Sequence, residues 1–437
     1  MKVTEAKEWL LAEAAKRGVD LEVLSTSDRN LRLETRGGEA SDVHSSTRSG
    51  IGLRVVDGGR TGYASTEELS EDALAWALDE AIENASLTPA NGAALPAGGP
   101  LGRVDLLGEG LSATMEDKLG SAAELEETLT ADPRLQAMQF GRYMETEQRL
   151  EIGSSKGVDG GYRAGVAVLM AGIVMREGES VKQGYNLHAE GDYHQLEPGR
   201  TALETLDKVG RHLGARPLES GRRRAVFEPE VVGVLLQLLA FSLSGKALAE
   251  GKSKLEGKLG QRVASPLITI VDDPTLPGAL GSRPFDSEGT ASRRLTLVEE
   301  GVLRSFMHNS ETARRTGQPN TGHASRTYAS TLGVKPSNLL LLPGQGIDGA
   351  DGVLITDLMG VHAGANPISG DVSVQAMGLE SVGGETFPVD DFAISFNLFE
   401  LLQRVSAVGT DLTWSYGFGS PIQAPSLCVE DLSFAGG

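Results

Sequence analysis

Cysteine and basic charge are scarce in this 437-residue sequence, and each shortage excludes a class of protein. The single cysteine, Cys428, leaves no disulfide framework within the chain and excludes a cysteine-rich zinc site. A formal net charge of -20 argues against nucleic-acid binding, which requires a basic surface to displace counterions. The one dense basic run, at 222–224, precedes a predicted strand and is interpreted as its solvated start.

Long apolar segments are missing as well. No stretch approaches the ~20 apolar residues that a membrane-spanning helix requires. The N-terminus, MKVTEAKEWLLAEAAKRG, lacks the apolar segment of a secretory signal. We therefore expect a cytoplasmic protein with neither a membrane nor a nucleic acid among its partners.

The order of helix-like and strand-like segments predicts an α+β fold in two domains. Residues 1–218 predict helices on a mostly antiparallel sheet, and residues 219–437 predict a β-rich domain with a few helices. The boundary lies near 218–221, where a helix that Gly214 and Pro217 close gives way to a strand. A length of 437 residues agrees with two or three domains of roughly 150 residues each.

Two helix predictions depend on local signals. Ser65 and Glu68 have capping-box spacing, so a helix is predicted from Ser65, with Trp76 in its buried stripe. Near the C-terminus, Asn397 is predicted to cap a helix whose buried face extends through Val405 and Val408. Between these segments, 87–110 is rich in proline, glycine and alanine and predicts a loop.

Short catalytic motifs are absent from the sequence. GKALAEGKS is not a P-loop, because five residues rather than four separate its glycines. The seven histidines include no H-E-x-x-H pair, and His188 and His194 are interpreted as solvent-side residues of a hairpin. No G-x-S-x-G elbow occurs, and Cys428 is predicted to be a small buried hydrophobe. The carboxylate pairs 272–273 and 390–391 are predicted to be solvated turn residues.

Three polar, glycine-rich corners separate predicted strands in the C-terminal half. They are RPFDSEGTASRR (283–294), NTGHASR (320–326) and GVHAGANPISGD (360–371). We expect the corners to gather at one end of a sheet, where loops often form binding sites, with ordinary strand connections as the equally weighted alternative. In the third corner, Gly360, Gly364 and Gly370 predict a strand–turn–strand arrangement.

These corners, in this order, resemble the TldD/PmbA family, once labelled modulators of DNA gyrase, and its PmbA (TldE) branch in particular. The resemblance extends over essentially the whole chain and is most specific from about residue 222 onward. It is carried there by SGKALAEGKSKLEGKLGQRVASPLITIVDDPTLPGALGSRPFDSEG, EEGVLRSFMHNSETAR, NLLLLPG and the closing LSFAGG. It implies a PmbA/TldD-like fold and a heteromeric metalloprotease that matures or degrades unfolded peptides, in which the TldD subunit carries a helical H-E-x-x-x-H zinc motif.

The sequence departs from the TldD pattern at the zinc helix. The corresponding segment, EVVGVLLQLLAFSLSGKALAEGK, contains no histidine, and Gln237, Phe241 and Ser242 do not replace imidazole ligands. The resemblance therefore implies no catalytic or metal-binding residue and no cofactor in this chain, and it places zinc in a TldD-type partner. Two alternatives stay open: a stand-alone or homodimeric protein that binds a peptide or small ligand, and a peptidase with metal ligands on distant loops.

The three corners supply the residues that we expect to contact the unfolded peptide or the TldD-type subunit. These candidate residues are Asp286, Glu288, Asn320, Arg326, His362, Asn366 and Asp371.

Overall fold

The computed structural model describes residues 1–416 and 419–436 of the chain. Its helices are α1 (Val3–Arg17), α2 (Glu71–Leu87), α3 (Met115–Thr130), α4 (Pro198–Gly210), α5 (Pro229–Ser242), α6 (Gly245–Ala249), α7 (Ser310–Thr316), α8 (Val361–Gly364) and α9 (Leu398–Gln403). Its N-terminal strands are β1 (Asp20–Arg36), β2 (Glu39–Asp57), β3 (Arg60–Thr66), β4 (Pro100–Asp105), β5 (Leu135–Ser154), β6 (Asp159–Glu177) and β7 (Ser180–Glu190).

The C-terminal half is made mostly of shorter strands. These are β8 (Arg216–Pro217), β9 (Gly221–Phe227), β10 (Ile270–Asp272), β11 (Leu295–Glu299), β12 (Val302–Leu303), β13 (Ala324–Ser325), β14 (Gly333–Val334), β15 (Leu339–Leu341), β16 (Gly352–Met359), β17 (Asp371–Val382), β18 (Glu385–Asn397), β19 (Val405–Val408), β20 (Thr413–Ser415), β21 (Ile422–Ala424) and β22 (Leu427–Gly436). The predicted α+β fold, with helices on a sheet followed by a β-rich part, is confirmed.

One sheet of long strands organises the N-terminal half. Its order is β3-β2-β1-β5-β6-β4, and β7 pairs with β6 beside β4. All neighbours are antiparallel except β4 and β6. Helices α3 and α4 pack on β1, β5, β6 and β7, where alternate strand residues are fully buried, among them Leu33, Tyr143, Leu169 and Ile173. The strands therefore have one face covered by helices and one open face.

The C-terminal half contains a closed ring of strands. Strands β22, β9, β16, β17 and β18 pair in succession, and β18 also pairs with β22, which closes the ring. A second sheet has the order β12-β11-β10-β15-β21-β20. Helix α5 packs on β16, β20 and β21 through its apolar residues, which include Val231, Leu235, Leu236 and Leu239. Burial of this stripe against both sheets positions α5 between them.

Sheet membership changes just before residue 218. Strand β8 already pairs with β18, and Leu218 lies in the C-terminal core. The domain division at 218/219 stays a prediction, although both observations lie within a few residues of it. Phe285 crosses the division, since it packs with Leu24, Ile152 and Val158 in one buried apolar cluster. The two halves are therefore joined by shared hydrophobic burial.

The prediction for α2 is wrong at its start. Ser65 lies in β3, paired with Gly52, and α2 begins at Glu71 with Ser70 as its N-cap. Ser65 and Ser70 both have capping potential and lie close together. Because Ser65 is part of the strand that pairs with β2, Ser70 caps the helix instead. Trp76 is 57% exposed rather than buried, because Leu74, Ala77, Leu78 and Ala81 form the packed face.

Two other local predictions are also overturned. Val405 and Val408 are buried, but they belong to β19 and pair with β22, since α9 ends at Gln403. The segment 87–110 is not all loop, because β4 within it pairs in parallel with β6. In both places, pairing with a strand that is distant in sequence decides the conformation. The local composition does not indicate that such a partner strand exists.

The carboxylate pairs divide between core and surface. Asp272 is fully buried in β10, where it accepts hydrogen bonds from Ser337 and lies 3.0 Å from His323 Nε2. Asp390 forms an ion pair with Lys182. Asp273 is buried as well, with 6% exposure, so the prediction of solvated turn residues is wrong for all three. Asp391 has an exposed side chain as predicted, but it lies in β18, with a φ of 53°, and not in a turn. None of the helices in residues 1–416 and 419–436 is long and apolar enough to cross a membrane.

Candidate functional site

Three adjoining cavities form a groove between the two halves of the chain, which we call the interdomain groove. The first, of about 200 Å³, lies between β7 and α5; the second, of about 390 Å³, lies on β5 and β6; the third, of about 670 Å³, lies beside the loop 274–284. Leu187 and Tyr416 line both the first and the second cavity. Gly165 and Leu280 line both the second and the third, so the three spaces adjoin one another along the chain.

The open face of the long sheet forms the floor of the interdomain groove. Along β6, Ala167 and Leu169 point to the helices and are fully buried, whereas the alternate residues Val166 and Val168 line the second cavity. Leu187 of β7 and Leu280 of the C-terminal half extend this apolar lining. The period-2 alternation of β6 therefore builds a core on one side and an apolar groove floor on the other.

Two edge strands border the first cavity. Among the described residues, β7 has a partner only in β6, and β20 ends its six-stranded sheet. Residues 182–187 of β7 and residues 414–416 both line this cavity. The rings of Trp414 and Tyr416 stack there, with centroids 6.3 Å apart and an angle of 12° between their planes. Edge strands present unpaired backbone groups to which an extended chain can add.

Ion pairs join the two halves beside the first cavity. Arg211 contacts both carboxylate oxygens of Glu228 at 2.7 Å, and Lys208 pairs with Glu230. His212 Nε2 lies 3.1 Å from Thr356 Oγ1. Burial, followed by the charge of Arg211, lowers the pKa of His212 to about 4, so its imidazole is neutral near pH 7. Basic groups of the N-terminal half thus meet acidic groups of the C-terminal half.

A second set of charges joins the halves in the interior, and we call it the buried quartet. It consists of Glu22, Arg54, Glu288 and Arg326, whose side chains are at most 4% exposed. Arg54 donates to Glu22 at 2.9 Å and to Glu288 at 2.6 Å, and Arg326 donates to Glu22 at 2.7 Å. Two positive and two negative charges alternate, which compensates their removal from water.

The first two corners of the sequence meet here. Asp286 accepts hydrogen bonds from the backbone amides of Ala324 and Thr290 at 2.9 Å, and burial followed by the charge of Glu288 raises its pKa to about 7. Asn320 donates to Thr290 Oγ1 at 3.1 Å. Within the chain, Asp286 therefore connects the first corner to the second, and Glu288 and Arg326 connect the C-terminal half to the N-terminal half. Contact of these three residues with a peptide or partner stays a prediction.

The third corner lies apart, between β16 and β17. One helical turn, α8, occupies its start, so the arrangement is strand–helical turn–strand rather than a simple turn. Asn366 Oδ1 accepts from the amide of Ile368 at 2.9 Å, and Asp371 accepts from Asn397, the cap of α9, at 2.9 Å. The hydrogen bond from Asn397, followed by that with Ser369, lowers the pKa of Asp371. His362 is exposed on α8.

Sequence patterns do not single out the residues that line the interdomain groove. Trp414 and Tyr416 alternate at a short strand, and Arg283 begins the first corner, but no motif marks any of the three as a site residue. The available signal is the pairing of two large aromatics at i and i+2, which places both on one face of a strand. Their position opposite β7 depends on how the halves pack.

Comparison with known proteins assigns the chain to a family. A model of the PmbA/TldA metallopeptidase C-terminal domain matches residues 220–436, and a model of PmbA/TldA metallopeptidase domain 1 matches residues 21–85. A metalloprotease of Methanothermobacter thermautotrophicus is 30% identical over 420 residues, which are 91% of this chain and 89% of that protein. The chain belongs to the PmbA/TldD family. Proteins of this family are metalloproteases.

Two further PmbA/TldD relatives match this chain almost from end to end. Metalloprotease PmbA of Escherichia coli O157:H7 is 26% identical over 450 residues, covering 99% of this chain and 97% of that protein. The fold of TldE from Thermococcus kodakarensis agrees with a TM-score of 0.85 at 24% identity, covering 98% of this chain and 100% of TldE. The predicted family is thereby confirmed.

The zinc expected of a PmbA/TldD metalloprotease does not fit helix α5 of this chain. The side chains of α5 with donor atoms are Glu230, Gln237 and Ser242, and Glu230 is engaged by Lys208. Zinc sites in proteins draw on imidazole or thiolate ligands alongside carboxylates, and α5 carries neither. Within residues 1–416 and 419–436, no three His, Cys, Asp or Glu side chains are grouped to hold a metal ion. No chemical step is therefore assigned to a metal in this chain.

Proposed function

We propose that this chain is the PmbA/TldE-type subunit of a two-subunit metalloprotease that acts on unfolded peptides. The zinc belongs to a TldD-type partner with a helical H-E-x-x-x-H motif, and this chain shapes the chamber and holds the peptide. The observation that carries the proposal is helix α5, whose side chains with donor atoms are only Glu, Gln and Ser. The resemblance to the TldD/PmbA family implies that this segment corresponds to the zinc helix of a TldD subunit. A metalloprotease subunit without ligands on this helix needs a partner that supplies them.

The interdomain groove supports peptide binding by this chain. Its apolar floor, with Val166, Val168 and Leu187, suits the side chains that an unfolded substrate exposes. The edges of β7 and β20 offer main-chain hydrogen bonds, which give affinity with little sequence preference. A protease for unfolded chains requires this combination, because its substrates share a backbone and differ in side chains.

Reconstitution with a partner tests the proposal. The purified chain is mixed with a TldD-type chain of the same genome, and complex formation, zinc content and cleavage of an unfolded peptide are measured. We expect cleavage only from the mixture, with zinc retained by the partner. Zinc binding and cleavage by this chain alone would overturn the proposal.

A variant pair tests the interdomain groove within the complex. Val168→Asp introduces a charge on the groove floor, and Val181→Asp makes the same change at an exposed position of β7 outside the cavities. We expect Val168→Asp to lower kcat/KM for an unfolded peptide roughly tenfold, since a buried charge is costly to desolvate, with zinc content unchanged. Equal effects of the two variants would remove the groove from the mechanism.

A second function is favoured by the position of the interdomain groove within a single chain. Because its floor and both edge strands belong to one polypeptide, the chain alone or as a homodimer is able to bind a peptide without any partner. In that case the reconstitution yields no complex, and the isolated chain still binds unfolded peptides.

A further inference from the structure

Within the described part of the chain, Arg283 has no carboxylate partner in an ion pair, unlike three other inward-facing arginines. Arg54, Arg211 and Arg326 each form an ion pair with a glutamate. Among the described residues, the buried Nε of Arg283 has no hydrogen-bond partner, which is also true of the Nε of the other three arginines, but Nη2 of Arg283 donates only to the Gly322 carbonyl oxygen, at 3.5 Å. A guanidinium has five N–H donors and stays charged, so Arg283 has donor capacity that the chain does not use.

The third cavity of the interdomain groove is the space that Arg283 lines. Ser292 lines the same cavity, and its buried hydroxyl also lacks a hydrogen-bond partner among the described residues. The carboxylates of this wall, Glu109 and Asp192, form no ion pair with Arg283, and Asp192 accepts from the amide of His194 instead. Two residues that each keep a donor without a partner among the described residues therefore line one cavity at the end of the groove.

The surrounding charge strengthens the preference for an anion. Lys335 has no carboxylate partner within the described chain, and desolvation together with the charge of Arg283 lowers its pKa. Asp286, the acidic neighbour of Arg283, accepts hydrogen bonds from backbone amides and forms no ion pair with Arg283 among the described contacts. In a chain of net charge -20, this is a local excess of positive charge.

The backbone around Arg283 is fixed before any ligand binds. The amide of Arg283 donates to the Pro274 carbonyl at 3.0 Å, which closes the loop 274–283. Asn338, fully buried, donates to the Asp273 carbonyl at 2.8 Å and accepts from the Gly281 amide at 2.9 Å. A preorganised arginine loses less conformational entropy when it binds, so it is suited to recognition.

We propose that Arg283, with Ser292, is an anchor for a carboxylate of a peptide lying in the interdomain groove. A carboxylate matches the planar fork of a guanidinium through two parallel hydrogen bonds. The groove that reaches this cavity is the one assigned to the peptide, so the anchor rests on the proposed function and adds a preference to it. Either the C-terminal carboxylate or an acidic side chain of the peptide supplies the group.

Binding of labelled unfolded peptides to the purified full chain tests the anchor. Four versions of one peptide are compared by fluorescence anisotropy: free acid or C-terminal amide, each with an internal Glu or Gln. The variants are Arg283→Gln, Arg283→Lys and, as a matched control, Arg293→Gln, an exposed arginine of the same corner that donates to the Asn320 carbonyl. If the difference between free acid and amide depends on Arg283, the C-terminal carboxylate binds. If the difference between Glu and Gln depends on Arg283, the acidic side chain binds.

We expect loss of the recognised carboxylate to weaken binding to the wild type by roughly tenfold to a hundredfold, as for a charged hydrogen-bonded pair. Arg283→Gln should weaken the carboxylate form to the level of its neutral counterpart and leave the neutral form unchanged. Arg283→Lys should retain part of the preference, and Arg293→Gln all of it.

A carboxylate preference that persists in Arg283→Gln, or equal binding of all four peptides to the wild type, overturns the anchor while peptide binding itself stands. Failure of the wild type and of its complex with the partner to bind any of the peptides overturns the proposed function and the anchor together.

Discussion

Arg54 Nη1 lies 2.6 Å from Glu288 Oε1, and this contact fastens strand β2 of the N-terminal half to the first polar corner of the C-terminal half. Both side chains are almost completely buried, and Arg54 also holds Glu22. Ser310 donates its amide to the second oxygen of Glu288 at 2.8 Å, at the start of α7. One carboxylate thus joins a strand and a helix terminus across the two halves of the chain.

Removal of that carboxylate should be strongly destabilising. Glu288→Ala leaves the guanidiniums of Arg54 and Arg326 with Glu22 alone, and breaking a buried ion pair from one side costs ~3–5 kcal/mol. The measurement is the free energy of unfolding from urea titration. Glu204→Ala, which removes the exposed partner of Arg200, is the control and should change stability by less than ~1 kcal/mol. A loss of that smaller size in Glu288→Ala would contradict a role for the quartet.

Asp286 should make the free energy of unfolding depend on pH at higher pH values than those at which an aspartate usually titrates. Its folded pKa of about 7 lies above the unfolded value near 3.9, so the folded state retains a proton that the unfolded state releases. The contribution is complete below about pH 4 and is lost as the pH rises to about 7, by an amount on the order of 4 kcal/mol. Asp286→Asn should abolish this slope, measured as unfolding free energy at pH 4, 5, 6 and 7. Parallel curves for both proteins would refute the shift.

His212 should act in the opposite direction. Burial and the charge of Arg211 hold its folded pKa at about 4, below the unfolded value near 6.5, so the unfolded state takes up the proton first. Its contribution is complete above about pH 6.5 and is lost as the pH falls toward 4, by up to about 3 kcal/mol. In His212→Gln the stability should fall less over this range than in the wild type. An equal fall in stability between pH 6.5 and pH 4 for both proteins would show that the imidazole protonates freely in the folded state.

Close approach of the two halves requires a glycine at position 52. A Cβ on Gly52 would lie 2.1 Å from the carbonyl oxygen of Tyr328, so Gly52→Ala should displace the backbone and destabilise the protein by ~1–3 kcal/mol. Gly120→Ala is the matched control, because its Cβ on α3 meets nothing within 4 Å, and it should stabilise by ~0.5–1 kcal/mol. The opposite order of the two variants in thermal unfolding would contradict this close packing of β2 against Tyr328.

The third corner is predicted to serve the reconstituted protease. Asn366→Ala combined with Asp371→Ala should impair partner-dependent cleavage of an unfolded peptide without altering zinc content. His362→Ala, at an exposed site of the same corner, is a companion variant. A thermal midpoint close to the wild type would show that loss of the Asp371–Asn397 contact has not unfolded α9. Full activity of the double variant would leave the corner a structural connection.

Local patterns predict much of the fold because each depends on neighbouring residues. The end of α1 at Gly18, with a φ of 71°, and the start of α5 at Pro229 follow from capping and proline rules. The start of α2 is not predictable in this way, because Ser65 and Ser70 carry equivalent signals and only pairing with β2 distinguishes them. Val405 and Val408 suggest a helix because a buried strand and a buried helical stripe look alike in short apolar segments.

The candidate site is predictable only in part. The polar corners single out Asp286, Glu288 and Arg326 as candidate site residues, and the structure brings these three together. No local pattern indicates that Glu288 pairs with Arg54 or that Arg326 pairs with Glu22. The interdomain groove has no local signature, because its floor is the open face of β6 and its rim comes from residues near 280 and 414.

The sequence by itself determined the α+β class, the resemblance to the PmbA/TldD family and the absence of histidine from the segment that forms α5. Tertiary structure alone decided which polar residues are buried pairs and which remain unpaired. Arg54 meets Glu288 across 234 positions of the chain and Arg326 meets Glu22 across 304, whereas Arg283 meets no carboxylate within the described residues. Charge compensation acts through space over a few ångströms, and sequence separation carries no information about that distance.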